Sequence, residues 1–364
     1  MSKRYNPADI FAFLSARVVG QDPVLRQIAV GVYKHLQGLR NSNILLIGNS
    51  GTGKTTIMRA IIAFYREHPD LEKFATLSIM NANSLVGEDG EVRLSRLFRN
   101  LEADARREIG DAFDPEALRD RMENATVCLD EVDKISSRIA GRTNVAGISI
   151  QQALLTVLEG EVTSYETAPD AGGKRHRFAV NTRRVQFVAG GAFEELYDQI
   201  YKLVENKEDE RRFSETSEWD DATGRMRKTI HFTLREYLKL SDLFAYGMVP
   251  QFISRFSSVA VLDDLDRPAL RQIFLGVPDS PYRHAKEYFA SFGIDLRFDD
   301  AAVDRIVADA AANARIGARA LQETLGRVLA ELEFNPTTAP ELRAAGDRQV
   351  LPVTKALVEK GLAR

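Results

Sequence analysis

The sequence predicts an α/β protein with a doubly wound parallel sheet over residues 1–264 and a smaller, mostly helical domain over residues 265–364. Three observations predict this fold. Short apolar runs alternate with helical patterns in the first part, which is the order of a parallel sheet covered by helices. One of these runs leads into a glycine-rich segment typical of phosphate binding. After residue 264 the pattern is almost entirely helical.

The first part of the chain opens with two predicted helices. Residues 7–16 have helical spacing after a proline. Asp22 and Pro23 then supply an N-cap and a first helical residue for an apolar stripe that runs to residue 39. Further helices are predicted at 91–107, 115–123, 148–158 and 232–244.

Apolar runs between these helices predict the strands of the sheet. They are bounded by glycine, proline or acidic residues, as strand ends usually are. The predicted strands are 43–47, 74–79, 125–130, 184–191 and 258–262, with a hairpin over 161–181 and a charged surface insertion over 205–228. In the second part, helices are predicted at 268–275, 280–291, 300–313 and 317–333, with strand-like segments at 295–298 and 349–352.

Composition limits the possible functions. A chain of 364 residues can hold two domains with sizeable cores. Its formal net charge of -3 gives no overall sign of binding to nucleic acid or to a membrane surface. The one cysteine, Cys128, excludes an internal disulfide and a cysteine-cluster zinc site. With no apolar signal core and no run of transmembrane length, we expect a cytoplasmic protein.

The most specific motif is a complete phosphate-binding loop. It has the spacing G-x-x-x-x-G-K-[ST] and lies between the apolar run 43–47 and a helical pattern. Glycines let backbone N–H groups turn towards a polyphosphate, and the N-terminus of the next helix adds the positive end of its dipole. The predicted nucleotide-binding residues are Gly48, Asn49, Ser50, Gly51, Thr52, Gly53, Lys54, Thr55 and Thr56.

Two acids follow the apolar run 125–129 at a predicted strand end. Asp130 is expected to hold Mg²⁺, directly or through water, together with the Thr55 hydroxyl. Glu131 is expected to polarise the attacking water, while Lys54 contacts the β- and γ-phosphates. Because neighbouring residues on a strand point to opposite faces, two separate roles are more natural for the acids than one shared ligand site.

Hydrolysis of a γ-phosphate also needs charge stabilisation beyond lysine and Mg²⁺, and arginine usually supplies it. Two arginines stand out by their context. Arg255 follows Pro250 in a short helical segment, and Arg319 follows Gly317 at a helix start. Composition alone does not separate either of them from an ordinary surface arginine.

Several motifs occur in a fixed order along the chain. They are V-V-G-Q at 18–21, the phosphate loop at 48–55, V-G-E-D at 86–89, L-D-E-V-D-K-I at 129–135, Q-Q-A-L-L at 151–155, L-E-G at 158–160, G-G-K-R-H at 172–176, G-G-A-F at 190–193, P-Q-F-I-S-R at 250–255 and G-A-R at 317–319. Their order resembles that of the AAA+ unfoldases of the ClpX type, in the Clp/HslU branch, over about residues 15–335.

The resemblance implies an AAA+ module with a helical lid domain that hydrolyses ATP with Mg²⁺. It also implies a homo-oligomer, a hexameric ring with ATP between subunits, acting on a protein substrate. Arg255 would be the finger that reaches a neighbour's γ-phosphate, and Arg319 would be the sensor arginine of the small domain. Val18 and Val19 would line the adenine pocket.

The resemblance also identifies two loops that would face a central pore. Leu85, Val86 and Gly87 match the first loop, where the family carries an aromatic residue in G-Y-V-G. Leu85 is expected to pack on a translocating chain, although it buries less area than tyrosine. The second loop would consist of Lys174, Arg175 and His176.

The sequence departs from the family in its partner-binding segments. It lacks the four-cysteine zinc module that serves as an adaptor platform. Residues 205–232 contain no Ile/Leu-Gly-Phe, the tripeptide that docks on the ClpP peptidase, and the charged segment 101–124 has no assigned role. We therefore expect an ATPase that remodels a dedicated protein partner without ClpP.

Other functions stay open at this stage. The chain could be the unfoldase subunit of a protease whose different peptidase docks through residues 205–232. It could also be an ATP-gated scaffold or switch, in which ATP binding orders a ring and hydrolysis resets it. A nucleic-acid motor is disfavoured, because residues 174–177 are basic but the sequence offers no aromatic stacking platform and no basic face.

Overall fold

In the computed structural model the chain divides into two units. The first comprises Met1–Ser15, Asp22–Gly48 and Lys54–Asp263, and the second comprises Ala16–Gln21, Asn49–Gly53 and Asp264–Arg364. Segments 16–21 and 49–53, which the sequence analysis included in domain 1–264, thus group with the second unit. The structure describes residues 5–39, 42–110, 114–139, 141–170, 172–206, 210–220, 225–313, 316–345 and 348–363.

The first unit is built on a five-stranded sheet in the order β11-β1-β8-β3-β2, and all of its strand pairs are parallel. The predicted α/β class is therefore confirmed. β1 and β8 are buried at every residue, which is typical of parallel strands between two layers. The strands of the unit are β1 Ile44–Ile47, β2 Leu77–Asn81, β3 Thr126–Asp130, β4 Arg138–Ile139, β5 Arg142–Thr143, β6 Val162–Glu166, β7 Arg177–Asn181, β8 Gln186–Gly191, β9 Ser214–Asp220, β10 Arg225–His231 and β11 Ser258–Val261.

Most helices of the first unit lie at predicted positions, but the helix Glu194–Glu205 was not predicted, and the predicted helix 232–244 is divided into two. The helices are α1 Pro7–Ser15, α2 Asp22–Leu36, α3 Lys54–Arg66, α4 Ser95–Ile109, α5 Pro115–Glu123, α6 Val145–Leu158, α7 Glu194–Glu205, α8 Leu234–Tyr237, α9 Leu240–Tyr246 and α10 Pro250–Ile253. α4 begins four residues later than the predicted start at 91, because Gly87 N donates to the carbonyl oxygen of Glu91 (2.8 Å) and closes a tight turn before the helix.

Besides the short pair β4–β5, two longer hairpins extend the first unit. The predicted hairpin over 161–181 is confirmed as β6 and β7, which pair from Val162↔Asn181 to Glu166↔Arg177. The charged insertion, for which the sequence analysis assigned no strand, forms the antiparallel ribbon β9–β10. Its register sets Glu218 opposite Arg227 and Asp220 opposite Arg225.

The second unit combines helices with a small sheet. Its elements are α11 Arg267–Gly276, α12 Pro281–Ala290, β12 Ile294–Phe298, α13 Asp300–Ala312, α14 Arg319–Phe334, β13 Arg343–Ala345, β14 Arg348–Val353 and α15 Lys355–Leu362. The two predicted strand-like segments become parallel neighbours, with Ile294 opposite Gln349 and Phe298 opposite Val353. Buried side chains such as Phe274, Phe289 and Leu351 form the core of this unit.

In the part of the chain that the structure describes, no helix has both the length and the apolar character needed to cross a bilayer.

A buried histidine makes the stability of the first unit sensitive to acid. His35 is enclosed in the core, its Nδ1 lies 3.0 Å from the Tyr65 hydroxyl oxygen, and burial lowers its pKa to about 3. In the unfolded chain a histidine has a pKa of about 6.5, so as the pH falls through this window the unfolded state takes up a proton that the folded state refuses. We expect this residue to lower the free energy of unfolding by up to about 1.4 kcal/mol for each pH unit between 6.5 and 3.

Denaturant unfolding at several pH values in this window measures the effect. His35→Leu should flatten the pH dependence relative to the wild type, whereas His284→Gln, at a side chain that is 57% exposed, should leave it unchanged. Equal slopes for the wild type and His35→Leu would assign the acid sensitivity to other groups.

Candidate functional site

The phosphate loop follows directly on β1, and α3 starts at Lys54. Gly51 and Gly53 have φ values of 74° and 106°, a left-handed conformation that glycine adopts without steric cost. The Lys54 ammonium donates to the carbonyl oxygen of Gly48 at 2.5 Å. Thr55 and Thr56 lie in the first turn of α3, where backbone N–H groups have no acceptor within the helix. The loop therefore presents the donors that a polyphosphate needs.

Both predicted acids lie at the carboxyl end of the sheet. Asp130 is the last residue of β3, and its Oδ1 accepts a hydrogen bond from the Glu131 backbone N–H at 2.9 Å. Glu131 has φ 56° and ψ 37°, which is uncommon for a residue with a side chain. Such backbone strain is concentrated at functional sites, where the surrounding structure maintains it.

Sequence reasoning missed the residue that holds Glu131. Asn81 ends β2 directly opposite Asp130 in the sheet, and its Nδ2 donates to Glu131 Oε2 at 3.1 Å. Among the described residues no hydrogen bond is made to the other carboxylate oxygen of Glu131, which a water molecule could therefore approach. The signal that could have identified Asn81 is its polar side chain at the end of β2, the strand adjacent to that of Asp130.

Gly190 of β8, the strand between β1 and β3, lies beside both Lys54 and Asp130. A Cβ built on Gly190 of β8 would lie 3.7 Å from Asp130 Oδ1 and 3.7 Å from Lys54 Cδ. It would also lie 3.1 Å from the methyl group of Met58. Lys54 and Asp130 therefore both lie within contact distance of the space beside Gly190, and the tight contact that a side chain would make there is with Met58.

The residues present fit a nucleotide-bound Mg²⁺. Thr55 and Asp130 offer a hydroxyl and a carboxylate oxygen, and Mg²⁺ usually takes one or two protein oxygens together with phosphate oxygens and water. Across the described ranges, no group of three or more His, Cys, Asp or Glu residues could hold a metal ion on its own. This donor set suits an ion that arrives with a nucleotide.

Arg319 contacts the phosphate loop within the second unit. It is the first residue of α14, and its Nη1 donates to the Ser50 hydroxyl at 2.6 Å. Ala318 N also donates to the carbonyl oxygen of Gly51 at 3.1 Å. Gly317 has φ 58°, and a Cβ there would lie 2.8 Å from the Gly51 carbonyl oxygen. The glycine of the G-A-R motif is thus required by close backbone packing against the loop.

Another short segment of the second unit also contacts the loop. Gln21 is fully buried, and its Nε2 donates to the carbonyl oxygen of Thr52 at 3.2 Å. The preceding Val18 is buried and Val19 packs on the core of the unit. Their contact with an adenine ring stays a prediction.

Arg255 lies away from these groups in its own chain. Its carbonyl oxygen accepts from Asn43 Nδ2 at 3.2 Å, and Asn43 precedes β1 whereas Gly48 follows it. Five residue steps of extended chain span roughly 16 Å, more than an arginine side chain can bridge. The Arg255 guanidinium instead pairs with Glu159 Oε1 at 2.5 Å. The structure therefore does not bring Arg255 together with Lys54 and Asp130.

The expectation that Leu85 packs on a translocating chain is wrong for this structure. Leu85 ends a short 3₁₀ helix, Ala82–Leu85, and its side chain is 0% exposed in the core of the first unit. Val86 is partly buried and Gly87 is buried, so Glu88, Asp89 and Gly90 form the exposed tip of the turn. The sequence of the loop does not show whether an apolar residue there packs in the core or lies at the surface, and Leu85 packs in the core.

This burial can be tested by stability. Leu85→Ala should destabilise the first unit by about 2–5 kcal/mol, because it removes buried methyl groups and leaves a cavity. Glu88→Ala, at an exposed neighbouring position, should change stability by no more than about 0.5 kcal/mol. The measurement is thermal or denaturant unfolding. If the Leu85→Ala protein is as stable as the wild type, Leu85 is not buried in the core.

The second predicted loop is ordered by an aspartate that sequence reasoning missed. Asp170 Oδ2 lies 2.9 Å from His176 Nε2, and Asp170 Oδ1 accepts from the backbone N–H groups of Gly172 and Lys174. The hydrogen bond from His176, followed by that from the Lys174 backbone, lowers the pKa of the Asp170 carboxyl. Lys174 and Arg175 are left exposed at the tip, whereas His176 turns towards Asp170.

The charged segment 101–124 supports this hairpin. Glu102 is 2% exposed and accepts from the Tyr165 hydroxyl at 2.6 Å and from Ala168 N at 3.0 Å. Burial, and then the contact with Glu102, raise the pKa of Tyr165. Arg106 donates to Glu102 Oε1 at 2.7 Å and to the carbonyl oxygen of Ala168 at 3.0 Å. Both strands are held, because Glu123 accepts from Asn181 N of β7 at 2.9 Å.

Comparisons with known proteins agree with this site. A model of the AAA domain (Cdc48 subfamily) matches residues 39–259, more than half of the chain. A protein of Bacteroides thetaiotaomicron named ATP-dependent Clp protease ATP-binding subunit ClpX is 29% identical over 346 residues, which cover 90% of this chain and 76% of that protein. A protein of the same name from Porphyromonas gingivalis is 29% identical over an alignment of 376 positions, which covers 98% of this chain and 82% of that protein. Because the matched range contains the phosphate loop, both acids and Arg255, the chain belongs to the AAA domain family and is an ATP-hydrolysing enzyme similar to the proteins named ClpX.

Proposed function

We propose that this ATPase forms a homo-oligomeric ring, of six subunits as the resemblance implies, and remodels or unfolds a dedicated protein partner without ClpP. The observation that carries the proposal is the position of Arg255 at the opposite end of β1 from Gly48, where the phosphate loop begins. An arginine so placed can stabilise the γ-phosphate bound by another copy but not the one bound by its own. Identical subunits joined head to tail supply a site with such an arginine from the neighbour, and when the rotation between subunits closes, these contacts form a ring in which every site has one.

Within one site, each residue has a distinct task. Lys54 and the backbone N–H groups of the loop bind the phosphates, and Thr55 and Asp130 would hold Mg²⁺. When bound, the ion neutralises charge on the phosphate oxygens. Glu131 orients the attacking water and draws on its proton, in the geometry that Asn81 maintains. Arg319 lies against Ser50 of the loop and adds positive charge there.

The exposed loops support a partner recognised by charge. Lys174 and Arg175 are exposed on the β6–β7 hairpin, and Glu88 and Asp89 are exposed on the first loop. With Leu85 buried, the first loop offers no large apolar side chain for gripping an arbitrary polypeptide. Such a surface is better suited to recognising one dedicated partner than to pulling processively on any polypeptide. Residues 205–232 lack the Ile/Leu-Gly-Phe tripeptide, which supports a function without ClpP.

The burial of Leu85 favours one second candidate, an ATP-gated scaffold or switch. In that function ATP binding orders the ring, and slow hydrolysis resets it. ATP turnover that no protein partner changes would favour the switch, whereas turnover stimulated by a partner would favour the remodelling motor.

The experiment that tests the proposal is a trap. Tagged Glu131→Gln, which should bind ATP but hydrolyse it slowly, is expressed in the native host beside the matched variant Lys54→Ala, which should not bind it. We expect one non-peptidase protein to co-purify with Glu131→Gln alone. A peptidase among the captured proteins, lost when residues 210–231 are deleted, would replace the proposal with the protease alternative.

A further inference from the structure

We propose that Gln151 is a positioning residue, which couples the acids of one ATP site to the arginine that the same subunit offers to its neighbour. The inference rests on the proposed role of Arg255 in a neighbouring site. Gln151 lies in α6 and is 0% exposed. Its Nε2 donates to the carbonyl oxygen of Ile135 at 2.7 Å, and its Oε1 accepts from the backbone N–H of Val249 at 2.7 Å.

Each of these two partners belongs to a segment that leads to a functional side chain. Ile135 ends the 3₁₀ helix Val132–Ile135, which starts directly after Glu131 and is tied to it by the Lys134 N–H donating to the Glu131 carbonyl oxygen at 3.0 Å. Val249 is the N-cap of α10. Arg255 follows that helix, and its N–H donates to the carbonyl oxygen of Phe252 at 3.1 Å. One amide therefore spans the two segments.

A second contact of α6 reaches the arginine itself. Glu159 caps the C-terminus of α6 and pairs with the Arg255 guanidinium at 2.5 Å. A carboxylate at this end faces the negative pole of the helix dipole, so the nearby guanidinium offsets an unfavourable charge. The same helix thus holds the backbone before Arg255 through Gln151 and its side chain through Glu159.

The buried position makes this link stiff. Both the Nε2 and the Oε1 atoms of Gln151 are hydrogen-bonded. Without this side chain the Ile135 carbonyl and the Val249 N–H would be buried with no hydrogen-bond partner, which costs free energy of folding. A shift of the segment after Glu131 therefore moves α6 and Val249 with it. In a ring, hydrolysis in one subunit would in this way change the arginine that serves the next site.

A double-variant cycle on ATP hydrolysis tests the coupling in the full-length protein with ATP and Mg²⁺. Gln151→Leu keeps the approximate size of the side chain and removes both hydrogen bonds. We expect kcat to fall about tenfold with KM for ATP unchanged, because misplacing Arg255 removes stabilisation specific to the transition state. Gln152→Leu, at the next and exposed residue of α6, should leave kcat unchanged.

The decisive comparison uses the Arg255→Ala background. If Gln151 acts through Arg255, adding Gln151→Leu to Arg255→Ala causes no further fall in kcat, since the group it positions is already gone. The same tenfold fall in both backgrounds would show a merely structural role and overturn the inference. If Gln151→Leu does not fold, Gln151→Glu, which keeps the acceptor for Val249, enters the same cycle with the same criterion.

Two results separate the role of Arg255 from the role of Gln151. If Arg255→Ala alone has the wild-type kcat, the neighbour's arginine takes no part in hydrolysis. Gln151 then cannot act through it. A large loss in Arg255→Ala combined with an additive cycle would leave the proposed function standing and overturn only the role of Gln151.

Discussion

Glu131→Gln is expected to lower the rate of ATP hydrolysis at least about a hundredfold, roughly 2.7 kcal/mol or more of transition-state stabilisation, while ATP still binds. The amide keeps the size of the side chain and can still accept from Asn81 Nδ2, but it cannot draw a proton from water. Lys54 and the loop N–H groups, which bind the phosphates, are unaffected. Phosphate release measures kcat, and titration with a fluorescent ATP analogue measures binding.

A matched variant separates this effect from the loss of a surface charge. Glu116 lies exposed on α5, and Glu116→Gln should hydrolyse ATP at the wild-type rate. Equal turnover in Glu131→Gln and the wild type would remove Glu131 from the reaction. Loss of ATP binding in Glu131→Gln would instead make its role one of binding.

Two inactive variants should restore activity when they share a ring. Arg255→Ala keeps its phosphate loop but offers no arginine to its neighbour, whereas Lys54→Ala offers the arginine but binds phosphate poorly. Each is expected to lose ATP hydrolysis by about a hundredfold or more. Co-expression at equal levels makes about a quarter of the sites in random rings complete, since each site needs one intact loop and one intact neighbour.

Mixed rings isolated through two different tags provide the measurement. Turnover near a quarter of the wild-type value, with each variant alone inactive, is the expected result. A mixture no more active than its parents would mean that Arg255 serves its own chain. That outcome would contradict the geometric argument from Asn43 and Gly48.

Local residue patterns were enough to predict the centre of the candidate site. The buried strand at residues 44–47, the glycine spacing after it and the helix from Lys54 involve only neighbouring residues, so their structure follows from local rules. Asp130 and Glu131 could be located in the same way, at the end of an apolar run. The predicted parallel sheet is confirmed because the order of strands and helices leaves few other topologies.

Contacts between distant segments decided what the patterns left open. An apolar side chain such as Leu85 is compatible with a core or with a pore loop, and only its packing in the folded chain shows that it lies in the core. Asn81 and Glu131 meet because β2 and β3 are neighbours in the sheet, which no local spacing records. The pairing of β12 with β14 likewise joins residues far apart in the chain.

By itself, then, the sequence determined the fold class, the phosphate loop and the acids that follow the third strand, because each depends on residues adjacent in the chain. Only the tertiary structure decided that Arg255 lies at the far end of β1, that Leu85 is buried and that Gln151 joins Ile135 to Val249. These features depend on which elements become neighbours in space, and that choice is made by burial of the whole core and by the need to pair buried polar groups.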